Sequence, residues 1–597
     1  MSDYLAPLTD MRFAMRYVAG VDRLTEFPAH KDFTLDSADT VLEEAAKFAG
    51  EVLAPLNSIG DRQGARFDNG KVITSPGFKE AYAQLVAGGW VALECDTALG
   101  GQGLPKTLGA AVSEMWASAN MAFTMSFALN EGAIQALSLA GTDALQRVYL
   151  PKLVTGEWSG TMNLTEPQAG SDLSAIRTRA EPQADGSYRI IGNKMFISFG
   201  EHDMSANIVH LILARIVGAP PGTKGLSLFL APKFIPDANG KPGEQNDIRC
   251  VSIEHKMGLH ASPTCVMAWG DKGGATAYLV GEPNRGLEVM FHMMNAARFS
   301  CALQGPALGE RAYQRALAYA RQRIQGRDVT GGGEGVTIIR HGDVRRMLMT
   351  MKAKTEAMRA LCYALAFEHD CVAGHPDDTE RARAQRRVDL LTPVAKAWCT
   401  EGGIEVASLG IQIHGGWGYI EETGAAQDLR DARITSIFEG TTGIQAADLV
   451  GRKVAKDQGA ALIELITDMV SCQKQLAKTK GEDFALMARI LGEGIEALRK
   501  AGVYVAANYR DHPKEVLAGS VPFLDLMGRV CAGWQMSRAA LAARACLDRG
   551  EGSARFMRAK IVTARFFADQ MLSGAPALAH AACEGAGAAL TLDEDQF

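Results

Sequence analysis

Glu439 stands in the run Arg430-Asp431-Ala432-Arg433-Ile434-Thr435-Ser436-Ile437-Phe438-Glu439-Gly440-Thr441-Thr442-Gly443. It follows two apolar residues and precedes a glycine, and a carboxylate held against apolar surface is a stronger base than one in water. The chemistry this points to is removal of a proton by a positioned Glu. The same pattern also describes a solvated helix end, with Thr441 or Thr442 as N-cap of a helix through Ile444 and Gln445.

A second run, Thr165-Glu166-Pro167-Gln168-Ala169-Gly170-Ser171-Asp172, gathers small residues and hydroxyls in a segment without helical or strand period. Exposed backbone N–H groups and hydroxyls of this kind suit a pyrophosphate. The alternative is a polar surface turn with Asp172 as an N-cap. No G-x-G-x-x-G follows a strand and no G-x-x-x-x-G-K-[ST] occurs, so neither a dinucleotide-binding βαβ unit nor a P-loop is indicated. The 11 cysteines are scattered without a C-x-x-C pair. That fits reduced, mostly buried thiols in a cytosolic enzyme and provides no disulfide framework or metal site.

These runs need elements to hold them. With 597 residues, 47% hydrophobic and 22% charged, the chain is a globular protein, and its length suits about three or four domains. Lys plus Arg number 62 against 68 Asp plus Glu, a net charge of -6 that offers no basic field for nucleic acid. Met1 to Pro7 lacks a basic stretch leading into an apolar core, and Asp3 and Asp10 argue against a transit peptide, so the expected location is cytoplasmic. No apolar run is long enough to span a bilayer.

The expected fold class is multidomain α+β. Residues 1–34 form an N-terminal arm and 35–157 an N-terminal α-helical domain, interrupted by a loop from Leu99 to Pro105, with a Met and aromatic stripe from Met121 to Leu129. Residues 158–281 change to strand period and make a middle β-sandwich or barrel domain. A hairpin is expected there, Tyr188 to Ile191 turning at Gly192-Asn193 into Lys194 to Ser198, with further strands over 206–216, 226–232, 248–254 and 265–269. Helices resume near Gly286, and residues 282–453 make a C-terminal four-helix-bundle domain containing Glu439. Residues 454–597, Ala-rich and helical, make an additional C-terminal helical domain.

Separated segments in this order carry a resemblance to a known family: Met162 to Asp172, Lys194-Met195-Phe196-Ile197-Ser198, Tyr319 to Gln325, Gln412 to Tyr419, and Arg430 to Gln445. Over roughly residues 35 to 455 the chain resembles the acyl-CoA dehydrogenases, flavoenzymes with an α, a β and a second α domain. The resemblance implies FAD. It places Thr165 on the flavin ring, with Met162 and Leu164 beside it, and Ser171 near the pyrophosphate and the substrate. Phe196 takes the place of a usual Trp over the ring, and Ser198 replaces a common Thr near flavin N5. Arg323, Gln325, Gln412 and Gly416 reach the FAD of a partner subunit, and Thr441 completes the cofactor set.

By the same resemblance Glu439 removes the α proton of an acyl-CoA thioester while the β hydride moves to flavin N5, leaving a trans-2-enoyl-CoA. The thioester carbonyl is polarised by the Glu439 backbone N–H and a ribityl hydroxyl. Arg298, Asn295 and Gly440 fall at substrate contacts, Asn295 standing where Asp is frequent. Gly326-Arg327 replaces a Phe-Gly, Gly331 to Gly335 is inserted, and Phe438 stands where many members have Tyr. The length and extra C-terminal domain resemble the large bacterial members. These imply a homodimer, electron transfer flavoprotein as electron acceptor, and either 3-(methylthio)propanoyl-CoA or a fatty acyl-CoA as substrate. The alternatives are an acyl-CoA oxidase using oxygen, a DNA-binding flavoprotein relative, and a membrane-associated form using Phe566, Phe567 and Leu572. Mixed charge over 452–597, ending in Asp593-Glu594-Asp595, counts against DNA, and core packing of the aromatic residues counts against stable membrane insertion.

Overall fold

Helices Gly286–Gln322, Gly342–Gly374 and Asp378–His414 are the longest elements. Their apolar spacing is used as the sequence suggests: Leu303, Ala307, Leu308, Ala312 and Ala316 are buried on the first, and Met347, Leu348 and Met351 on the second. The computed structural model describes residues 4–331 and 334–597, so Gly332 and Gly333 of the expected glycine-rich insertion lie outside the described residues. Contacts divide the chain into two units, one comprising Lys47–Leu104 and Ala119–Ser300, the other residues 4–46, Pro105–Ser118 and Cys301–Phe597.

The first unit is built on an 8-stranded sheet. Its strands are β1 (Trp158–Asn163), β2 (Arg179–Pro182), β3 (Tyr188–Ser198), β4 (Asn207–Ile216), β5 (Leu226–Pro232), β6 (Ile248–Ile253), β7 (Thr264–Trp269) and β8 (Ala275–Val280). The order is β6-β7-β3-β8-β5-β4-β1, and β2 pairs with both β3 and β4. Those two pairings close β3, β8, β5, β4 and β2 into a ring, so the sheet is a barrel and not a sandwich. Ile190, Ile212, Phe229, Met267 and Trp269 fill one side of it. Leu211, Leu213, Leu228 and Leu230 face a second core shared with Ile134, Leu137 and Leu153 of the preceding helices.

The expected hairpin at Gly192-Asn193 is not formed; Tyr188–Ser198 is one continuous strand. Its first part pairs with β8 and its second with β7. The glycine serves close approach, not a turn, since a Cβ at Gly192 would lie 2.5 Å from Thr178 Oγ1. A hairpin does occur in the stretch read as helical, Arg66–Asp68 with Lys71–Ile73. Its turn residues Asn69 and Gly70 have φ of 48° and 85°, the pair of positive values that an Asn-Gly turn supplies.

Two histidines are buried in this unit. His202 Nδ1 accepts from the Met204 N–H at 3.1 Å, so Nε2 carries the proton and donates to Ser159 Oγ at 2.9 Å. Burial pushes its pKa down to about 3, helped by Lys233. His210, hydrogen-bonded to Thr161 at 2.7 Å, is likewise pushed by burial to about 3.

In the second unit a buried guanidinium ties the bundle together. Arg359 bonds Glu114 at 2.6 Å and Glu310 at 2.8 Å. Lys560 of the C-terminal helices joins Glu356 at 3.0 Å and also meets Asp10. Phe567 and Leu572 are buried, Phe567 edge-on to Trp398, so these residues belong to a core. All cysteines except Cys95 and Cys583 are buried, and all are free thiols. Among the described residues no helix is long and apolar enough to cross a membrane.

Candidate active site

Within the first unit the Thr165–Asp172 run is fixed at its base by a buried ion pair. Lys194, on β3, donates to Glu166 Oε1 at 2.9 Å and to the Leu164 carbonyl at 2.8 Å. The Glu166 carboxylate also accepts from Thr178 Oγ1 at 2.5 Å, from its N–H at 3.1 Å and from the Arg177 N–H at 2.8 Å. Burial pushes the Glu166 carboxyl up, but Lys194 and these hydrogen bonds outweigh it and hold it below its ordinary value. Burial brings the Lys194 ammonium down to about 8 against the pull of Glu166.

Glu166 and Ala169 exchange backbone hydrogen bonds at 3.0 and 2.9 Å, closing a tight turn that leaves Gly170 and Ser171 exposed. A Cβ at Gly170 would meet nothing within 4 Å. Asp172 does cap a short helix, accepting from the Ser174 N–H at 2.9 Å.

Backbone pairing brings Thr165 beside Phe196, the Met195 N–H donating to the Thr165 carbonyl at 2.9 Å. Phe196 has φ 60° and is 57% exposed. A large side chain in this conformation costs free energy that the surrounding ladder must supply, and such strain gathers at functional positions. Met162 and Leu164 are buried, and Ser198 is half-buried at the end of β3. On the helix from Gly286, Arg298 is buried and its Nη1 donates to Asn295 Oδ1 at 3.4 Å.

Glu439, Gly440 and Thr441 lie in the second unit, on the turn between helices Ala425–Arg433 and Thr442–Asp448. Thr441 Oγ1 caps the latter, accepting from the Ile444 N–H at 3.3 Å. Glu439 is half-buried with φ 55°, and Gly440 follows with φ 94°. A Glu in the left-handed region needs something to hold it. Lys396 does so: wholly buried, it donates to the Thr435 carbonyl at 2.9 Å and the Gly440 carbonyl at 2.8 Å. Gln445 Nε2 adds bonds to the Glu439 carbonyl at 3.1 Å and the Gly440 carbonyl at 3.3 Å. From the sequence, Gln445 falls in the capped helix without a role at the site, and Lys396 is not singled out. The available signal was a Lys inside the apolar run Val394 to Trp398.

Arg323 and Gln325 are exposed together, 3.4 Å apart, where a helix runs into the hairpin Ile324–Arg327 with Gly335–Thr337. Gln412 and Gly416 are exposed at the end of Asp378–His414, beside Trp417 and Tyr419, which are exposed too. His414 is a packing residue, stacked on Tyr319 at 4.4 Å and bonded to the Gly410 carbonyl.

Comparison with known proteins matches four family descriptions in chain order. They are the acyl-CoA dehydrogenase N-terminal domain over residues 36–157, middle domain over 161–271 and C-terminal domain over 284–454, and an acetyl-CoA dehydrogenase C-terminal-like domain over 462–593. The chain is 49% identical to 3-methylmercaptopropionyl-CoA dehydrogenase of Ruegeria pomeroyi over 95% of this chain and 96% of the relative. It is 37% identical to a broad-specificity linear acyl-CoA dehydrogenase of Mycobacterium tuberculosis over 96% of each. An acyl-CoA dehydrogenase from Bacillus anthracis, solved with FAD, shares the fold with a TM-score of 0.74 at 21% identity, over 96% of this chain and 91% of that one. The chain therefore belongs to the acyl-CoA dehydrogenase family of FAD-dependent oxidoreductases.

Proposed function

We propose that the protein converts an acyl-CoA thioester to its trans-2-enoyl-CoA, with Glu439 as the base and 3-(methylthio)propanoyl-CoA as the substrate. The observation that supports this substrate is the 49% identity, across nearly the whole of both chains, to a dehydrogenase of that thioester. A linear fatty acyl-CoA is the second reading, supported by the 37% identity to a broad-specificity enzyme.

The residues present fit the cofactor. Thr165, Ser171 and Ser198 supply hydroxyls, Phe196 exposes an aromatic face, Arg323 exposes a guanidinium, and the space around Gly170 is open. In this reading Met162, Leu164 and Thr441 complete the contacts in one protomer of a homodimer. Arg323, Gln325, Gln412 and Gly416 serve the FAD of the other. When bound, FAD supplies the acceptor for the β hydride.

The chain's own work is to make a weak carbon acid react. Glu439 accepts the α proton, the C–H electron pair becomes the new α,β double bond, and the β hydrogen departs with its pair. The Glu439 N–H, beside Gly440, polarises the thioester carbonyl, which lowers the cost of charge developing there. Lys396 and Gln445 hold the loop so that the carboxylate and this N–H keep one geometry. Asn295, Arg298 and Ser171 orient the CoA end. Electrons then pass to electron transfer flavoprotein, and the enzyme works in the cytosol.

The test is anaerobic bleaching of the flavin with straight-chain acyl-CoAs from short to long and with 3-(methylthio)propanoyl-CoA. Fastest reduction by the thioether substrate is expected. A maximum on long straight chains would transfer the assignment to the fatty acyl reading, and rapid peroxide release in air would make the enzyme an oxidase.

A further inference from the structure

Within the second unit, helices Ala460–Lys478 and Ser520–Arg549 pack on Gly342–Gly374 and Asp378–His414 and, with the turn Val21–Glu26, enclose a cavity of about 290 Å³. Its wall carries Arg23, Arg383, Arg387 and Arg538 against Glu368, Glu380 and Asp468. The carboxylates are already engaged. Arg387 bonds Glu368 at 2.9 Å and also meets Asp468, while Arg383 bonds Asp468 at 2.9 Å and Glu380 at 3.1 Å.

The other two guanidiniums form no ion pair with a carboxylate of this wall among the described residues, though Glu368 acts on Arg538 from further off. Arg538 lies over the Trp534 ring and donates to Gln535 Oε1 at 2.7 Å, and Arg23 lies over the Phe367 ring. Burial holds the Arg538 guanidinium below its ordinary value; Cys472 and Glu368 pull it up, and Arg387 and Arg23 push it down. The buried Nε of Arg387 makes no hydrogen bond to protein. Like charges in a partly enclosed space raise one another's free energy, and an oxyanion between planar guanidinium forks removes that cost while forming charge-assisted hydrogen bonds.

We propose that this cavity binds a small oxyanion, the phosphate or carboxylate group of a metabolite, between Arg538, Arg23 and the Nε edge of Arg387. Its volume lies near the low end for small-molecule pockets, which are roughly 300 to 1,000 Å³, so the ligand is small. None of its lining residues belongs to the segments assigned to FAD or acyl-CoA. The helices that follow residue 454 supply one side of the site, Asp468 and Arg538 among its charged residues.

Calorimetric titration of the FAD-loaded enzyme with sodium phosphate and, separately, sodium succinate, at ionic strength fixed with sodium chloride, tests the proposal. Saturable binding of at least one is expected. Phosphate alone indicates a phosphate-bearing ligand, and succinate alone a carboxylate. Arg538→Met should weaken the affinity at least about tenfold, the scale of one lost charge-assisted contact, and leave acyl-CoA turnover unchanged. Arg538→Lys keeps the charge without the fork and should lie between; it carries the comparison if the Met variant does not load FAD. Absence of saturable binding by either anion, or an affinity unchanged in both variants, overturns the proposal.

Discussion

Replacing Lys396 by Met removes a wholly buried ammonium of matching length that donates at 2.9 and 2.8 Å to carbonyls on either side of Glu439. Each hydrogen bond from a charged donor is worth about 1.5–3 kcal/mol, so two bonds are worth about 3–6 kcal/mol. Relief of burying the charge offsets part of this, leaving a net destabilisation on the order of 2–4 kcal/mol. Gln445 still holds the Glu439 and Gly440 carbonyls, so the loop is expected to loosen and not to be lost. A reacting group displaced by about 1 Å costs roughly a hundredfold in rate. Lys396→Met should therefore load FAD, keep its apparent affinity for substrate within a few fold, and reduce its flavin about a hundredfold more slowly in anaerobic stopped flow. Gly440→Ala should act in the same direction, because a Cβ there would meet Gln445 Nε2 at 2.7 Å on a backbone at φ 94°. A folded Lys396→Met enzyme that reduces its flavin at the wild-type rate would refute the role assigned to this brace.

Lys194→Met leaves the Glu166 carboxylate buried without its cation, and should cost about 3–5 kcal/mol in urea unfolding together with a measurable loss of FAD affinity. Unchanged values of both would contradict the anchoring of the Thr165–Ser171 loop. The His202 pKa in the folded state, about 3, lies below the ordinary histidine value. Its contribution is therefore fully present above about pH 6.5 and is lost as pH falls toward 3, by up to about 1.4 kcal/mol per pH unit. His202→Gln should flatten the fall in stability between pH 7 and 5, His210 supplying what remains, and identical slopes for variant and wild type would sink the assignment.

Much of the fold was legible because its period is local. Leu226–Pro232 and the start of the helix at Gly286 fall where a β-rich run and helical spacing put them. The differences arise where a local signal has a cause elsewhere in the chain or is outweighed by the period of its surroundings. Gly192-Asn193 reads as a turn, yet the glycine is there because Thr178, leading into the neighbouring antiparallel strand, packs directly against it. Asn69-Gly70 is a strong turn pair, but it lies within a long stretch of helical period and was absorbed into it. The candidate site divides in the same way. Residue types around Glu439 left base and helix end open, and family motifs elsewhere in the chain brought FAD and acyl-CoA into view. The left-handed backbone at Glu439 was not legible, since its brace comes from Lys396, 43 positions away in the sequence, and from Gln445.

Glu439→Gln tests the central assignment most directly. The substitution keeps the size and the loop hydrogen bonds but removes the basic oxygen. Mixed anaerobically with 3-(methylthio)propanoyl-CoA or the best straight-chain substrate, the FAD-loaded variant should bind thioester. Flavin reduction should be slower than wild type by about three orders of magnitude or more, the scale of a positioned base. Reduction at a near-normal rate would remove Glu439 from the mechanism.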